Sequence, residues 1–185
     1  MRVHVDPAQV RAAFAAVADD PSFAESRRLA DAGAMPVEML QAMSLRPELL
    51  RAFGAICQAV YPGGILERPL KEFVILQSSV ANSCQFCTGS HVAMIRQLGI
   101  CDTPVELLND LDALPERTRL AVEYTRAVMA DSNRVSDELF ARLRRTFTEP
   151  EIVELTFLVG LINMLNLFNN SLQVTYRDDY AKAGG

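Results

Sequence analysis

The sequence predicts an all-α fold, and three observations lead to that prediction. Segments with the helical spacing of apolar residues are common along the 185-residue chain. Proline or an N-capping side chain stands near the start of several of these segments. Strand signals are scarce, since there is no sustained alternation of apolar and polar residues and no Asn-Gly or Asp-Gly hairpin turn. About ten helices and no sheet are therefore expected.

The helices of the first half are bounded by prolines, caps and one break. The first opens with Asp6 as N-cap and Pro7 at its first position, in "DPAQVRAAFAAVADD". Proline also stands near the start of "MPVEMLQAM" and of "RPELLRAFGAICQAV". Residues 62–64, "PGG", then break the chain before "ERPLKEFVILQSSVA" and a cysteine-bearing helix that Gly99 ends.

The second half continues the helical pattern without a linker. In "TPVELLNDL", Thr103 and Glu106 have the spacing of a capping box. Two amphipathic helices follow in "PERTRLAVEYTRAVMADS" and "SDELFARLRRTF", and "TEPEIVELTFLVGLINMLNLFNNSLQV" completes the set. No Gly/Ser-rich segment separates a second domain. We predict an N-terminal helical arm over residues 1–34 and one compact domain over residues 35–185.

Composition and charge narrow the classes of protein and of partner. Half of the residues are hydrophobic and 22% are charged, which is enough apolar material for a sizeable core. The net charge is −5 and no block of Lys or Arg is present, so nucleic acid and acidic membranes are not expected partners. The N-terminus lacks the apolar region of a secretory signal, and a cytoplasmic location is expected. The longest apolar stretch, residues 155–168, is shorter than a membrane span and predicts a core or interface helix.

An internal similarity links the two halves of the chain. "ERPLKEFVIL" (67–76) and "EPEIVELTFL" (149–158) align with an offset of 82 residues, which predicts a degenerate repeat of one helix pair. The same alignment can also arise from two unrelated amphipathic helices with Glu near their starts. Carried forward, the offset pairs Glu72 with Glu154, Cys84 with Asn166, Cys87 with Asn169 and His91 with Gln173.

The sequence "NSCQFC" predicts a helix start that holds two thiols. Asn82 or Ser83 is the expected N-cap, so the helix would begin at Ser83 or Cys84. Both Cys84 and Cys87 then lie in or next to its first turn, where free backbone N–H groups and the helix dipole stabilise a thiolate. The two sulfurs are one turn apart and can form a disulfide.

His91 and Glu72 complete a predicted catalytic set. His91 follows Cys87 by four residues, so the two share one helix face and the imidazole can take the thiol proton. This spacing favours Cys87 as the nucleophile and Cys84 as the resolving thiol. If the chain reverses near Asn82, Glu72 lies about 15 Å along one arm and His91 about 13 Å along the other. An antiparallel helix pair would place them level, where Glu72 could orient His91.

Three other interpretations of the cysteines compete with a redox pair. Zinc would need a fourth ligand beside Cys84, Cys87 and His91, from Cys57, Cys101, His4 or a carboxylate. Attachment of c-type haem requires His directly after the second Cys, and Thr88 stands there. The pair could also be two buried structural thiols beside a core histidine. Packing is the expected role of the isolated Cys57 and Cys101.

The stretch "KEFVILQSSVANSCQFCTGSH" (71–91) resembles the signature of the AhpD-like alkylhydroperoxidase / carboxymuconolactone decarboxylase family. Its pattern is a Glu, a C-x-x-C twelve residues later and a His four residues after the second Cys. Glu72, Cys84, Cys87 and His91 match it, and weaker similarity covers most of residues 35–175. One position departs from the best-known peroxidases of the family, which carry a second His where this chain has Phe86.

The resemblance implies a fold, an activity and partners. The fold is an all-α domain in a homo-oligomer, a trimer or hexamer. In the alkylhydroperoxidase branch the second Cys attacks the hydroperoxide substrate, the first resolves it as a disulfide, and Glu and His relay the proton. No haem, flavin or metal cofactor is implied, and electrons come from a dithiol donor such as a lipoyl-bearing protein.

Two further functions stay open from the sequence. One is a decarboxylase-like lyase, which would need cations for a carboxylate. Arg68, Lys71 and Arg96 are the nearest candidates, although solvated surface charge is their more expected role. The other is a non-enzymatic redox-sensing or structural oligomer, whose cysteine pair would be oxidised without turnover.

Overall fold

The computed structural model describes residues 1–177, and the last eight residues of the predicted 35–185 domain lie outside the described residues. Within 1–177 there is no β-strand, so the predicted all-α class is confirmed. The helices are α1 (Pro7–Ala15), α2 (Ala24–Asp31), α3 (Glu38–Met43), α4 (Pro47–Ala59), α5 (Arg68–Ala81), α6 (Gln85–Gln97), α7 (Pro104–Leu107), α8 (Glu116–Asp131), α9 (Asp137–Thr146) and α10 (Glu149–Leu172). Asp6 caps α1 as expected, with Pro7 at the first position.

Helix α5 is the central element of the fold. Every residue from Leu70 to Ser79 is buried, and α6, α8 and α10 pack around this segment. A helix that is buried all round lies in the middle of a bundle. The two consecutive charged residues Lys71 and Glu72 therefore have to find partners inside the protein.

The turn between α5 and α6 reverses the chain within three residues. Ser83 adopts the left-handed conformation with φ 52°. Its N–H donates to Val80 O at 3.0 Å, and the N–H of Cys84 donates to Ser79 O at 2.9 Å. This pair of bonds is a Schellman motif, in which glycine is the usual left-handed residue. Helix α6 begins directly after it, so α5 and α6 form the predicted antiparallel hairpin.

The N-terminal arm packs onto α4 and contributes to the core. Phe14 of α1 and Phe23 are fully buried and meet edge to face, with ring centroids 5.9 Å apart. The Asp20 carboxylate caps the turn that contains Phe23 by accepting from the N–H of Ser22, and it also accepts from Gln58 of α4. Phe14 and Phe23 share one apolar cluster with residues of α5 and α10. The boundary of the arm at residue 34 stays a prediction.

Helix α10 is one continuous helix. It covers the residues that the repeat alignment sets against both α5 and the start of α6. Thr148 and Glu151 form a capping box at its start. The capping box predicted at Thr103 and Glu106 is wrong, because the Thr103 side chain makes no cap hydrogen bond to the short helix α7. Since α10 has no counterpart of the Ser83 turn, the duplication of a complete helix pair stays a prediction.

Helix α10 is long and apolar enough to cross a membrane by length and composition, but 44% of its most apolar window is buried inside the fold. Core helices of soluble proteins satisfy the same criteria. The helix therefore has an inner face that belongs to the core and an outer face that does not.

Candidate active site

The α5–α6 hairpin brings Glu72 and His91 together, as the spacing predicted. Glu72 Oε2 lies 2.7 Å from His91 Nδ1. The Glu72 side chain is fully buried, whereas that of His91 is 14% exposed. A carboxylate that accepts from Nδ1–H fixes the tautomer of the ring and leaves Nε2 as the basic nitrogen.

Two residues that the prediction did not place at the site complete the surroundings of Glu72. Tyr61, in the loop before α5, donates its hydroxyl to Glu72 Oε1 at 2.8 Å and lies 3.5 Å from His91 Nδ1. Arg68 bonds to the same Oε1 and donates to the Tyr61 hydroxyl at 2.9 Å. The Arg68 guanidinium also stacks over the Tyr61 ring, 4.5 Å from its centroid. Glu72 is thus held by three side chains at once.

These partners keep Glu72 ionised. Burial alone would raise the pKa of its carboxyl group, but the hydrogen bond and charge of His91 and the charge of Arg68 outweigh burial, so the pKa is lowered. A buried carboxylate that stays negative can stabilise an imidazolium on His91 when the ring takes up a proton.

Cys84 is itself the N-cap of α6, so the predicted cap at Asn82 or Ser83 is wrong by one or two residues. Asn82 instead ends α5, and Ser83 forms the turn. Cys84 is completely buried. A hydrogen bond from the Cys87 thiol lowers the pKa of Cys84, burial opposes it, and backbone N–H groups of the first turn of α6 add to the lowering, with a result of about 7.

The pKa of Cys87 is shifted in the opposite direction to that of Cys84. Its hydrogen bond to Cys84, its burial and the negative charge of Cys84 together raise the pKa of the Cys87 thiol. The Asn169 amide of α10 donates to Cys87 Sγ at 3.2 Å and acts against this rise. The Asn169 Oδ1 atom is buried and has no hydrogen-bond partner among the described residues. The two pKa shifts thus favour the proton on Cys87 and ionisation of Cys84.

Cys87 and His91 line one cavity of about 340 Å³. Its wall is mostly apolar and comes from four parts of the chain: the arm, α3 and α4 with the following loop, α5 and α6, and the inner face of α10. Phe86 is part of the wall and packs edge to face on Tyr176, with centroids 6.3 Å apart. Phe86 therefore contributes apolar surface at the position where the resemblance expects a histidine.

A buried ion pair supports the loop that carries Tyr61. Lys71 Nζ lies 2.7 Å from Glu154 Oε1 of α10 and donates to the carbonyl oxygens of Val60 and Gly63. Glu154 accepts from the backbone N–H groups of residues 65 and 66 at 2.7 and 3.1 Å. The two side chains thus hold the 60–66 loop at several backbone groups.

The predicted surface role is therefore wrong for two of the three cations. Lys71 is fully buried because the backbone carbonyls and Glu154 replace its water, and Arg68 lines the cavity because it pairs with Glu72. Arg96 is exposed, as expected. In the described cavity wall, Arg68 is the cation, and its charge is already compensated.

The repeat alignment already indicated two residues of the site that the prediction did not include. It set Asn166 against Cys84 and Asn169 against Cys87, and these amides lie beside those thiols in the structure. Tyr61 had no such signal, because its place depends on the loop conformation.

Comparisons with known proteins find relatives of this chain in sequence and in fold. Residues 47–128 match the sequence model of the carboxymuconolactone decarboxylase family. The uncharacterized protein YdfG of Bacillus subtilis (strain 168) is 28% identical over 105 residues, which are 55% of this chain and 71% of the relative.

Two solved structures share the fold. One is an uncharacterized peroxidase-related protein with an alkylhydroperoxidase AhpD core, from Ralstonia eutropha JMP134. It is 23% identical with a TM-score of 0.75, over 97% of this chain and 93% of that one. The other is the debrominase Bmp8 in its apo form, 19% identical with a TM-score of 0.68, over 90% and 91% of the two chains. Likeness at these identities concerns the fold alone.

Proposed function

We propose that this chain, which has the AhpD-like fold and whose residues 47–128 match the sequence model of the carboxymuconolactone decarboxylase family, is a thiol-dependent hydroperoxide reductase. One observation carries the proposal. Two hydrogen-bonded thiols, Cys87 and Cys84, are buried side by side, and Cys87 lines the same apolar cavity as His91, which the buried carboxylate of Glu72 orients. This arrangement suits a two-electron reduction that ends in a disulfide.

The first step is the activation of Cys87. Nε2 of His91 takes the Cys87 proton, and the buried Glu72 carboxylate stabilises the imidazolium that forms. The Asn169 amide stabilises the new thiolate by donating to Sγ. Tyr61 and Arg68 keep Glu72 in place, because both bond to Oε1 while Oε2 serves His91.

The second step is the transfer of oxygen. The Cys87 thiolate attacks the terminal oxygen of the hydroperoxide, and the O–O bond breaks as an S–O bond forms. The alkoxide leaves with the proton that His91 gives back, so the products are an alcohol and a sulfenic acid on Cys87. The oxidised atom is the sulfur and the reduced atoms are the two peroxide oxygens.

The third step forms the disulfide. Cys84, whose pKa of about 7 keeps much of it ionised near neutral pH, attacks the Cys87 sulfur and releases hydroxide. A dithiol donor then reduces the disulfide, is itself oxidised to a disulfide, and supplies the proton that neutralises the hydroxide. A lipoyl-bearing protein has the chemistry that this step needs.

The proposal is tested by stopped-flow consumption of cumene hydroperoxide with a dithiol such as dihydrolipoamide. The Cys87→Ser variant should lose the reaction, whereas Cys84→Ser should complete one oxidation and stop at a sulfenic acid that dimedone labels. Cys101→Ser is the matched control, because Cys101 lies outside the cavity, and it should react like the parent protein.

Two results would contradict the proposal. If Cys87→Ser consumes peroxide as fast as the parent protein, Cys87 is not the nucleophile. If the parent protein is oxidised once and no dithiol restores it, the pair senses oxidants and does not turn over.

A further inference from the structure

The N-terminal arm supplies one wall of the cavity that Cys87 lines. We call its four lining residues the arm wall: Ser22, Phe23, Glu25 and Ser26. All four precede residues 47–128, the part of the chain that matches the family model. The arm wall is therefore an addition to the matched region, and it can give the cavity a selectivity of its own.

The turn that begins the arm wall is fixed to α4. The Ser22 hydroxyl donates to Gly54 O at 3.3 Å, and the Asp20 carboxylate accepts from the Gln58 amide at 3.0 Å. A methyl group added at Gly54 would collide with the Asp20 carboxylate and with the Phe23 ring. Because glycine has no side chain, the turn can lie this close to the helix. The arm wall is therefore a packed part of the cavity.

The cavity that the arm wall completes is small and apolar. Its volume of about 340 Å³ lies at the lower end of the range of ligand pockets. Aromatic side chains from three elements line it, which are Phe23 of the arm, Phe53 of α4 and Phe86 of α6. These dimensions and this surface suit one aryl ring or one branched alkyl group, whereas a long acyl chain exceeds the space.

The charges of the cavity wall are already paired among the described residues. Arg68 is paired with Glu72, and a protonated His91 has the same carboxylate as its counter-charge. Glu25 of the arm wall pairs with Arg28, with 2.6 Å between Oε2 and Nη2. A carboxylate on a ligand would therefore lose its water in this cavity and find no free cation, which is unfavourable.

We propose that the arm wall restricts the cavity to compact, uncharged hydroperoxides that carry one aryl ring or one branched alkyl group, and that it excludes long-chain and carboxylate-bearing ones. Phe23 sets the size limit, because it is fully buried, packs on Phe14 in the core and also lines the cavity. The inference rests on the proposed function for its reaction. The selectivity itself is a property of the cavity, so binding alone can measure it.

Three substrates test the selectivity of the full chain by stopped-flow kinetics with dihydrolipoamide. They are cumene hydroperoxide, methyl linoleate hydroperoxide and linoleic acid hydroperoxide, so that the first two differ in length and the last two in charge. We expect kcat/KM to be about tenfold lower for the ester than for cumene hydroperoxide, and lower again by about tenfold for the acid. Isothermal titration calorimetry with the three corresponding alcohols should give the same order of affinities without any turnover.

Two variants assign the size limit to the arm wall. Phe23→Leu enlarges the cavity and should reduce the preference for cumene hydroperoxide over the methyl ester by about fivefold. Phe14→Leu is the matched control, because it loses the same edge-to-face contact but lies outside the described cavity wall, and it should leave this ratio unchanged. A ratio of two substrates is insensitive to a loss of folded protein that lowers both rates alike.

A second pair of variants does not depend on the core. Ser26→Phe narrows the cavity from a partly exposed position and should lower kcat/KM for cumene hydroperoxide, relative to tert-butyl hydroperoxide, by about fivefold. Ala24→Phe adds the same ring at an exposed position of the same helix outside the described cavity wall, so it should not change this ratio. Circular dichroism checks that each variant remains helical.

The outcomes separate this inference from the proposed function. Equal kcat/KM values for the three hydroperoxides, or equal affinities for the three alcohols, would overturn the selectivity and leave peroxide reduction standing. Equal shifts of the ratio in Phe23→Leu and Phe14→Leu would also overturn the role of the arm wall. A protein that binds 2-phenyl-2-propanol in preference to the long-chain alcohols but reduces no hydroperoxide would support the arm wall and contradict the proposed reaction.

Discussion

The repeat alignment sets the α5–α6 hairpin against α10, and the two regions differ at one turn. In the hairpin, the left-handed Ser83 ends one helix and lets the next begin at Cys84. In α10 the aligned residues continue as one rod, with Asn166 and Asn169 where the hairpin has its two thiols. The break exposes the first N–H groups of α6 to Cys84, and these groups add to the hydrogen bond from the Cys87 thiol in lowering the pKa of Cys84. Part of this pKa shift thus depends on the interruption of the helix.

The aligned carboxylates Glu72 and Glu154 also differ, because one lies at the cavity and the other supports a loop. Glu72 bonds to His91, Tyr61 and Arg68 beside the cavity, whereas Glu154 bonds to Lys71 and to the backbone of the 60–66 loop. Both are buried anions with compensating partners. The partners of Glu72 include His91, which can exchange a proton with a ligand in the cavity. The partners of Glu154 hold the backbone of the loop that carries Tyr61.

Glu72→Gln should separate the two roles most strongly. The amide cannot stabilise an imidazolium on His91, so peroxide consumption should fall about 100-fold or more, as is typical for loss of acid–base catalysis. Stopped-flow kinetics with cumene hydroperoxide measures the effect. Gln fills the same space, so an activity within a factor of two of the parent protein would show that the proton relay does not pass through Glu72.

Glu154→Gln should act mainly on stability. It leaves the Lys71 ammonium buried without its counter-charge, and the free energy of unfolding should fall by about 3 kcal/mol. Urea unfolding followed by circular dichroism measures the loss. The double variant Lys71→Met/Glu154→Gln removes the stranded charge and should recover part of the stability, so a double variant less stable than the single one would contradict the ion-pair account.

The pH dependence of the thiolate tests the role of the helix break. Cys84 should ionise with a midpoint near pH 7, against an ordinary value of 9.0, so the thiolate absorbance at 240 nm should rise between pH 6 and 8. Because the pKa is lower in the folded state, this group adds stability above pH 9 and the contribution is lost as the pH falls toward 7. Cys84→Ser should abolish the rise, and a parent protein that titrates near pH 9 would contradict the expected thiolate.

Asn169→Ala should have a smaller effect on the same pair. It removes the donor to Cys87 Sγ, so the rate constant of the first oxidation should fall by about tenfold, the cost of one hydrogen bond to a charged group. Single-turnover kinetics measures it against Asn170→Ala, an exposed neighbour on the same helix that bonds to Asn82 O. Equal rates for the two variants would remove Asn169 from the mechanism.

Ser83→Gly should have the smallest effect, and a favourable one. Glycine adopts the left-handed conformation without the steric cost of a side chain, so the free energy of unfolding should rise by about 0.5 kcal/mol. Ala141→Gly, in the exposed interior of α9, is the control and should lower stability by about 1 kcal/mol. Thermal unfolding measures both, and a destabilised Ser83→Gly would show that the serine side chain has a role of its own.

Helical spacing was enough to predict the all-α class and the hairpin that joins Glu72 to His91. It could not locate the cap, because Asn82, Ser83 and Cys84 are each compatible with a helix start, and the Schellman bonds that decide between them involve only the backbone. It also misplaced Lys71, since a lysine within an apolar helix is usually solvated. Its partner Glu154 is 83 residues away in the sequence, and no local pattern connects them.

The neighbouring residues Lys71 and Glu72 have a consequence for protein engineering. Lys71 anchors the backbone of the 60–66 loop, and Glu72 receives the hydroxyl of Tyr61 from that same loop. Grafting the C-x-x-C helix alone onto another bundle would leave its histidine without an oriented carboxylate. A graft would therefore need residues 60 to 91 together, with an acidic side chain on the host at the place that Glu154 occupies here and amides at the places of Asn166 and Asn169.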